Sequence, residues 1–532
     1  MTDKKLSGSF YTPKILADFM VDYISLKFED LASISVLEPS VGDGVFLKAI
    51  YKNEVFSNKI HKIIAVEKDN NELDKISSEM NNENLSVINA DFLNFQHGNK
   101  EKFSLVIGNP PYIRKKLLDD SQIESCKEIH HNANLSVNQP KNIWTAFLVR
   151  CIEFTSDNGI LAFVLPSELL QVKYADELRT LILKEFQRVE IFTFNELLFK
   201  DCKGQDTLLL IGEKKAKDKG VFYCNIPKLA DLFEKKFALT QNAKMKESKW
   251  THHHLDSDEI ELLEKLRKEL LTINDYCNSK AGIVTAANDY FIVNTEIVEK
   301  YSLHKFIKPI IQKGIFVNGS VDLTEEEFNI LIDNSKPTYL IALNKDSVVS
   351  EDTKIHDYLQ IGKDKQIDKR YKTSMRSNWY EVPNIGTIPQ AFFFKRCNEY
   401  PKLIKNSASV FTTDSAYAVT MRENFKIDNL IYSFYNSLTL AFAELFGRYY
   451  GGGVLELTPN EFKKIPIPYL DLSTNKFSAF VEDFKNKKSI KQICLLNDKE
   501  ILRANGLNLS DNDVLKIYNI REKLFLRRIK TN

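Results

Sequence analysis

Four short apolar runs in the first part of this chain constrain its fold more than any other feature. They are SISVLEP (33–39), HKIIAVEKD (61–69), NLSVINADF (84–92) and EKFSLVIGNPP (101–111), and each closes on a polar residue or a proline pair. Segments with helical spacing alternate with them, PKILADFMVDYISLKF (13–28) ahead of the first and NNELDKISSEM (70–80) after the second. Strand, helix, strand at this interval predicts a parallel, doubly wound α/β sheet, because a parallel neighbour needs a long, usually helical, crossover. NIWTAFLVRCIEFT (142–155) continues as a helix and GILAFVLP (159–166) as another buried strand, while RVEIFTF (188–194) and QDTLLLIGEK (205–214) read as a closing antiparallel pair. The polar stretch 113–140 is expected to be a long functional or mobile loop. Lys-rich segments with little periodicity occupy 214–256. A first domain is therefore placed at 1–245 and a second, mixed α+β domain with a helical, Lys-rich end at 246–532.

Composition narrows the class. Lys+Arg of 73 against Asp+Glu of 72 leaves a net charge of +1, so affinity for a polyanion would have to come from local patches. A hydrophobic content of 43% fills large cores and excludes general disorder. The 7 cysteines are scattered without a C-x-x-C pair, which is expected of reduced thiols in an intracellular protein and not of a disulfide framework or zinc site. The N-terminus MTDKKLSGSF has no apolar signal core, and no run approaches the length of a membrane span. His252-His253-His254 are consecutive, cannot all face one ion from regular structure, and are expected to be exposed. No metal site is expected.

The strand ends carry the chemistry. The first runs into Ser40-Val41-Gly42-Asp43-Gly44, which lacks both the G-x-G-x-x-G and the Walker patterns and is acidic, with Glu38 before it. Such a loop would repel a pyrophosphate and suits a cation, an amino group or a sulfonium. Glu67 ends the second strand, where a carboxylate can hold ribose hydroxyls. Asp91 and Phe92 end the third, an acceptor and a flat wall for an adenine ring, although Asp91 could equally be a helix cap. The fourth ends in Asn109-Pro110-Pro111-Tyr112. Two prolines remove two N–H donors, so the Pro110 carbonyl can point into a cleft beside the Asn109 amide oxygen. Two adjacent acceptors suit an exocyclic NH₂. Accepting both hydrogens would withdraw the nitrogen lone pair from the ring and ready it for attack on a methyl group, with Tyr112 offering a flat face to the ring.

SFYTPK (9–14), VLEPSVGDG (36–44), VEKD (66–69), ADF (90–92) and GNPPY (108–112), in this order, resemble the γ-class DNA amino-methyltransferases, TaqI-type enzymes among them. The resemblance is close over about the first 215 residues and looser beyond. It implies a Rossmann-like S-adenosylmethionine methyltransferase domain with a mixed seven-stranded sheet, followed by a mixed α+β target-recognition domain. It also implies methylation of adenine N6 on a flipped base in double-stranded DNA. Tyr11, Thr12 and Pro13 would close over the methionine part of the cofactor, with Phe10 a weaker candidate for its wall. Glu38 and Gly42 would flank the same end, Glu67 would hold the ribose, and Asp91 and Phe92 the adenine. Asn109 counts with both the cofactor-binding and the catalytic residues, together with Pro110, Tyr112 and Phe199, the last placed against the flipped base. Cytosine N4 methylation uses the same amine geometry, and a DNA-binding module that has lost catalysis is the alternative of a different class. The family context implies a cytoplasmic bacterial monomer in a restriction–modification system, with a separately encoded nuclease.

The second half is expected to hold the duplex. GKDKQIDKRYKTSMR (362–376) supplies Lys363, Lys365, Lys369, Arg370, Lys372 and Arg376 with Tyr371 among them, a pattern that fits phosphate contacts. GIVTAANDYFIV (282–293) and FGRYYGGGVLELTPNEFKKIPIPY (446–469) resemble segments of the family's specificity domains. The triple glycine in the latter would let DNA approach or would simply make a turn.

Overall fold

A computed structural model describes residues 11–529 apart from 81, 97–100, 139, 200–205, 235, 242–248, 318, 346–352, 451–452, 474 and 505. Phe10, Cys202 and the first two glycines of the triple lie outside the described residues. Contacts divide the chain into two compact units. The first runs to Ile260 and takes in 450–452 and 529–532; the second holds 261–449 and 453–528.

The first unit is one sheet with helices. Its strands are β1 (Ile34–Glu38), β2 (Ile60–Glu67), β3 (Leu85–Asn89), β4 (Phe103–Gly108), β5 (Thr155–Pro166), β6 (Arg188–Phe194), β7 (Thr207–Glu213), β8 (Gly220–Ile226) and β9 (Thr240–Gln241). They lie in the order β3-β2-β1-β4-β5-β7-β6-β8-β9. The seven expected strands form the first seven places, and the pair β6–β7 is antiparallel as the spacing predicts. Two further strands extend the sheet: β8 pairs parallel to β6 and β9 antiparallel to β8. β1 is buried along its whole length and β4 nearly so, which is why these two read as continuous apolar runs. β3 is half-exposed and sits at the edge.

Helix α1 (Lys14–Ser25) buries Leu16, Ala17, Met20, Val21 and Ile24, a stripe at helical spacing. Helices α2 (Val45–Lys52) and α3 (Asn70–Glu79) follow β1 and β2 as crossovers. The polar stretch expected to be loop instead contains α4 (Asp120–Asn132). Asp119 and Gln122 form a reciprocal capping box at its start, and Cys126, Ile129 and His130 make its buried stripe. Next come α5 (Trp144–Phe154) and α6 (Asp176–Glu185). His252, His253 and His254 are not exposed as expected but 5, 6 and 7% accessible. Their short 3₁₀ turn packs on β8, with the Tyr223 ring stacked over His253 and edge-on to His254. Burial depresses His253 to about 3.

The second unit is built from short pieces. A five-stranded sheet takes Cys277–Ala281, Ala416–Met421, Ala391–Phe394, Lys402–Asn406 and Asp322–Leu323 in that order. A four-stranded one takes Ile292–Val293, Tyr339–Ile341, Ile307–Ile311 and Phe411–Thr412. Tyr290, Phe291, Leu340, Tyr358 and Ile367 are buried in one core with Trp379 packed against it. Lys476–Lys485, Ile490–Ala504 and Asp511–Arg528 are the helices of the C-terminal end. Among the described residues no helix is long and apolar enough to cross a membrane.

Candidate active site

Strand order reverses between β1 and β4, and in an open α/β sheet the ligand crevice lies beyond the carboxyl ends of the strands at such a point. The residues following these two strands meet there. Ser40 after β1 donates its hydroxyl to the Asn109 carbonyl after β4 at 3.1 Å. The Asn109 amide nitrogen donates to Thr12 Oγ1 at 3.2 Å, which ties it to the segment ahead of α1. The Tyr112 hydroxyl lies 2.8 Å from Asn109 Oδ1 and 2.9 Å from the Val164 carbonyl of β5. Asn109 is thus oriented by three elements and is itself half-buried. Pro110 is buried behind it.

The glycine loop turns as its residues require. Gly42 and Gly44 sit at φ +55° and +72°, where a side chain is strained, and Gly44 is the cap of α2. The Gly42 N–H donates to Glu67 Oε2 at 2.9 Å, while Oε1 accepts from the Lys68 and Asp69 N–H groups at 2.8 Å each. Glu67 therefore fastens the loop after β1 to the end of β2. The Tyr11 ring lies 3.5 Å from the point a Gly42 Cβ would occupy, and its hydroxyl donates to Glu72. Burial, helped by that carboxylate, pushes the Tyr11 phenol up to about 12. Pro13 starts α1, its carbonyl accepting from Leu16 and Ala17.

Glu38 is fully buried, and neither carboxylate oxygen has a hydrogen-bond partner among the described residues. Burial first, then the negative charges of Asp43 and Glu67, raises its carboxyl well above the usual range. An orphaned acid at the end of β1 fits a cationic ligand group, beside which it would lose its proton to solvent and pair as the carboxylate. The loop after β1 is bonded to the end of β2 through Gly42 and Glu67 and to the end of β4 through Ser40 and Asn109, and the unpartnered acid of Glu38 just ahead of that loop fits the cationic amino end of S-adenosylmethionine.

Asp91 and Phe92 stand differently from expectation. Asp91 Oδ1 accepts from the Leu93 N–H as a helix cap, and Oδ2 pairs with Lys68 Nζ at 2.8 Å. It is continuous with Glu67 through Lys68, but the adenine amine would have to displace an exposed lysine. Phe92 is 2% accessible, ringed by Phe95, Phe147 and Phe154, so it belongs to the core and has no open face for a purine. Tyr112 is likewise buried, and it acts through its hydroxyl on Asn109 instead of as an open platform. Phe199 is buried too, next to residues 200–205 outside the description. Ser40 and Lys68 were not singled out from sequence. The signal for Ser40 was a hydroxyl inside the glycine loop, and for Lys68 a cation between two strand-end acids.

Residues 24–199 match the family described as Eco57I restriction-modification methylase, and residues 247–502 match that described as Type II methyltransferase M.Eco57I, C-terminal domain. The chain is a DNA methyltransferase of the restriction–modification kind. This methyltransferase is 26% identical to Type II methyltransferase M.AccI of Acinetobacter calcoaceticus over 480 residues, 87% of this chain and 85% of that one. It is 28% identical to Type II methyltransferase M.HincII of Haemophilus influenzae over 217 residues, 38% of this chain and 39% of the relative. Its fold resembles that of the Type IIL restriction-modification enzyme MmeI, solved in complex with DNA. The TM-score is 0.61 at 11% identity, covering 96% of this chain and 75% of that one.

In the second unit of this methyltransferase the basic stretch splits into three groups. Lys363, Lys365 and Lys369 are exposed. Arg370 and Lys372, exposed as well, line a cleft of about 860 Å³. Arg376, expected to meet phosphates, turns inward. It donates to the Val284, Thr285 and Trp379 carbonyls and lies over the Phe291 ring. The reason is position: it lies in the bend just ahead of Trp379, which packs on the core, and there it satisfies the carbonyls of 284 and 285. Gly453, the described glycine of the triple, has φ +74° and gives its carbonyl to Arg528, which supports the turn reading at that glycine.

Proposed function

We propose that this chain transfers a methyl group from S-adenosylmethionine to the exocyclic N6 of an adenine flipped out of double-stranded DNA, protecting that DNA in a restriction–modification system. The observation that carries the reading is Asn109, oriented by Thr12, Tyr112 and Ser40 at the β1/β4 switch point, beside the loop that Glu67 holds through Gly42 and that buried Glu38 precedes. S-adenosylmethionine supplies an electrophilic methyl on a sulfonium. The Asn109 amide oxygen and the Pro110 carbonyl accept the two amine hydrogens and draw the nitrogen out of conjugation. Glu38 takes the cationic amino end and Glu67 the ribose. No covalent enzyme intermediate is needed, and much of the acceleration comes from holding nitrogen and methyl in line. The exposed lysines of the second unit hold phosphates. The chain acts as a cytoplasmic monomer beside a separately encoded nuclease.

The test is transfer of labelled methyl to unmethylated duplex DNA, followed by nucleoside analysis. N6-methyladenosine in the digest is expected. Label in N4-methylcytosine would replace the base, which the resemblance of Asn-Pro-Pro-Tyr to the adenine enzymes argues against. Cofactor and DNA binding without transfer would make the chain a binding module.

A further inference from the structure

We propose that the cleft of the second unit reads one G·C pair in the DNA major groove, with Arg370 on guanine and Asp289 on cytosine; this rests on the DNA-methyltransferase reading. The cleft, about 860 Å³, is lined by Arg370 and Lys372, by Gln312 and Lys313, by Ala286 and by Asp289 in the first turn of the short helix Asn288–Phe291. Its charge is mixed. A groove for phosphate alone would exclude carboxylates, yet Asp289 and Asp414 both line it. A base edge offers what each sign needs: guanine presents O6 and N7 as acceptors for an arginine fork, and cytosine presents an N4 amine as donor for a carboxylate.

Arg370 and Asp289 stand side by side, Nη1 to Oδ1 at 3.4 Å, with both side chains well exposed. So long and open a pair holds its members weakly and leaves them available to a ligand that satisfies both. The loop that leads into the turn bearing Asp289 is, by contrast, tightly held. Ala286 lies at φ +67°, a strained conformation for a residue with a side chain. The surrounding contacts enforce it: Arg376 grips the Val284 and Thr285 carbonyls from behind, and the buried Thr285 hydroxyl accepts from the Ala287 N–H. Arg376 is thus a positioning residue for this loop. Only Arg370 and Lys372 of the basic stretch reach the cleft, which separates them from the lysines that serve the backbone.

The experiment uses the full chain and a library of unmethylated duplexes, with methylated sites read by sequencing and the same duplexes competed in a binding assay. The wild type is expected to select a motif containing G·C. Arg370→Gln and Asp289→Asn are each expected to lower the preference for that one pair tenfold or more, at the same position, while other positions keep theirs. Lys369→Ala should weaken binding alike across all sequences. A wild-type motif without a required G·C pair overturns the proposal. So do Arg370→Gln and Asp289→Asn proteins that fold, by their melting, and bind with the wild-type preference at lower affinity, for then the cleft meets phosphate only. If the wild type transfers no methyl to DNA, the underlying methyltransferase reading has failed, and the cleft's role falls with it.

Discussion

The two units place their polar groups by opposite means. In the first, one long sheet brings strand ends together, and hydrogen bonds to main chain and side chains hold the polar groups: Glu67 grips three backbone N–H groups, and Asn109 is fixed through the Thr12 side chain, the Tyr112 hydroxyl and Ser40. In the second, the strands are short, the cleft draws on segments from Val284 to Asp414, and its charges stand in solvent. A site that must hold a transition state needs preorganised groups, whereas a surface that must exchange water and counterions for DNA gains from groups that can move. If that contrast is right, substitutions in the first unit change turnover and those in the second change sequence preference or affinity.

The largest effect that would break the contrast is at Asn109. Asn109→Ala is expected to lower methyl transfer on the order of a thousandfold or more, with cofactor binding retained. Labelled transfer and a cofactor titration read the two separately. Near-normal turnover would remove Asn109 from the reaction and with it the claim that the switch point is the active centre.

What was legible in the sequence follows the same divide. Strand ends are local: an apolar run closed by an acid or by Asn-Pro-Pro can be read in a line of text, and Gly42 does meet Glu67 while Asn109 meets Ser40 of the same loop. Phe92 could not be read that way, because its burial depends on Phe147 and Phe154 from α5. Nor could the partition of the basic stretch, since Arg376 is claimed by carbonyls 91 and 92 residues earlier in the chain. The burial of the histidine run under Tyr223 could not be read either, because the adjacency of His252, His253 and His254 says nothing about what packs on them. The helix over 120–132 carried a legible signal that was passed over, the D-x-x-Q capping box of Asp119 and Gln122.

Next in size is a stability effect that should separate the units. Arg528 is buried with Glu444, Nε to Oε2 and Nη2 to Oε1 at 2.8 Å each, and also donates to the carbonyls of Asn398, Glu399 and Gly453. The Glu444 charge is what offsets the cost of burying this cation, and it raises the guanidinium against desolvation. Arg528→Ala leaves that carboxylate buried alone and should cost about 3–5 kcal/mol. In a thermal melt the loss should fall on the transition that cofactor does not shift. A loss shared equally by both transitions would show the units to be one cooperative body.

Glu38 offers a pH test of the first unit. Its folded carboxyl is raised well above the usual range, so between about 4.5 and that raised value the folded chain keeps a proton the unfolded chain has lost. Stability from this group is therefore full below about 4.5 and is lost as pH rises through the folded value. Cofactor binding should follow the reverse course, tightening with pH until Glu38 ionises unaided. Glu38→Gln is expected to flatten both dependences, to spare or raise the melting temperature of the free protein near neutrality, and to weaken cofactor roughly tenfold to a hundredfold. An unchanged affinity and slope would put the cationic end of the cofactor elsewhere.

The smallest effect is also the one that best sharpens the comparison. Lys363, Lys365 and Lys369 are exposed and outside the cleft, so replacing all three by alanine should cost no stability beyond a few tenths of a kcal/mol. Each lysine that meets a phosphate contributes about 0.9 to the slope of log affinity against log salt, so a loss of up to about 2.7 in that slope is expected. Sequence preference should be untouched, because counterion release carries no base information. A triple variant that kept its salt slope would move the duplex to another face of the unit. One that changed the methylated motif would show that the exposed lysines and the cleft form one reading surface, and that the division drawn between them is wrong.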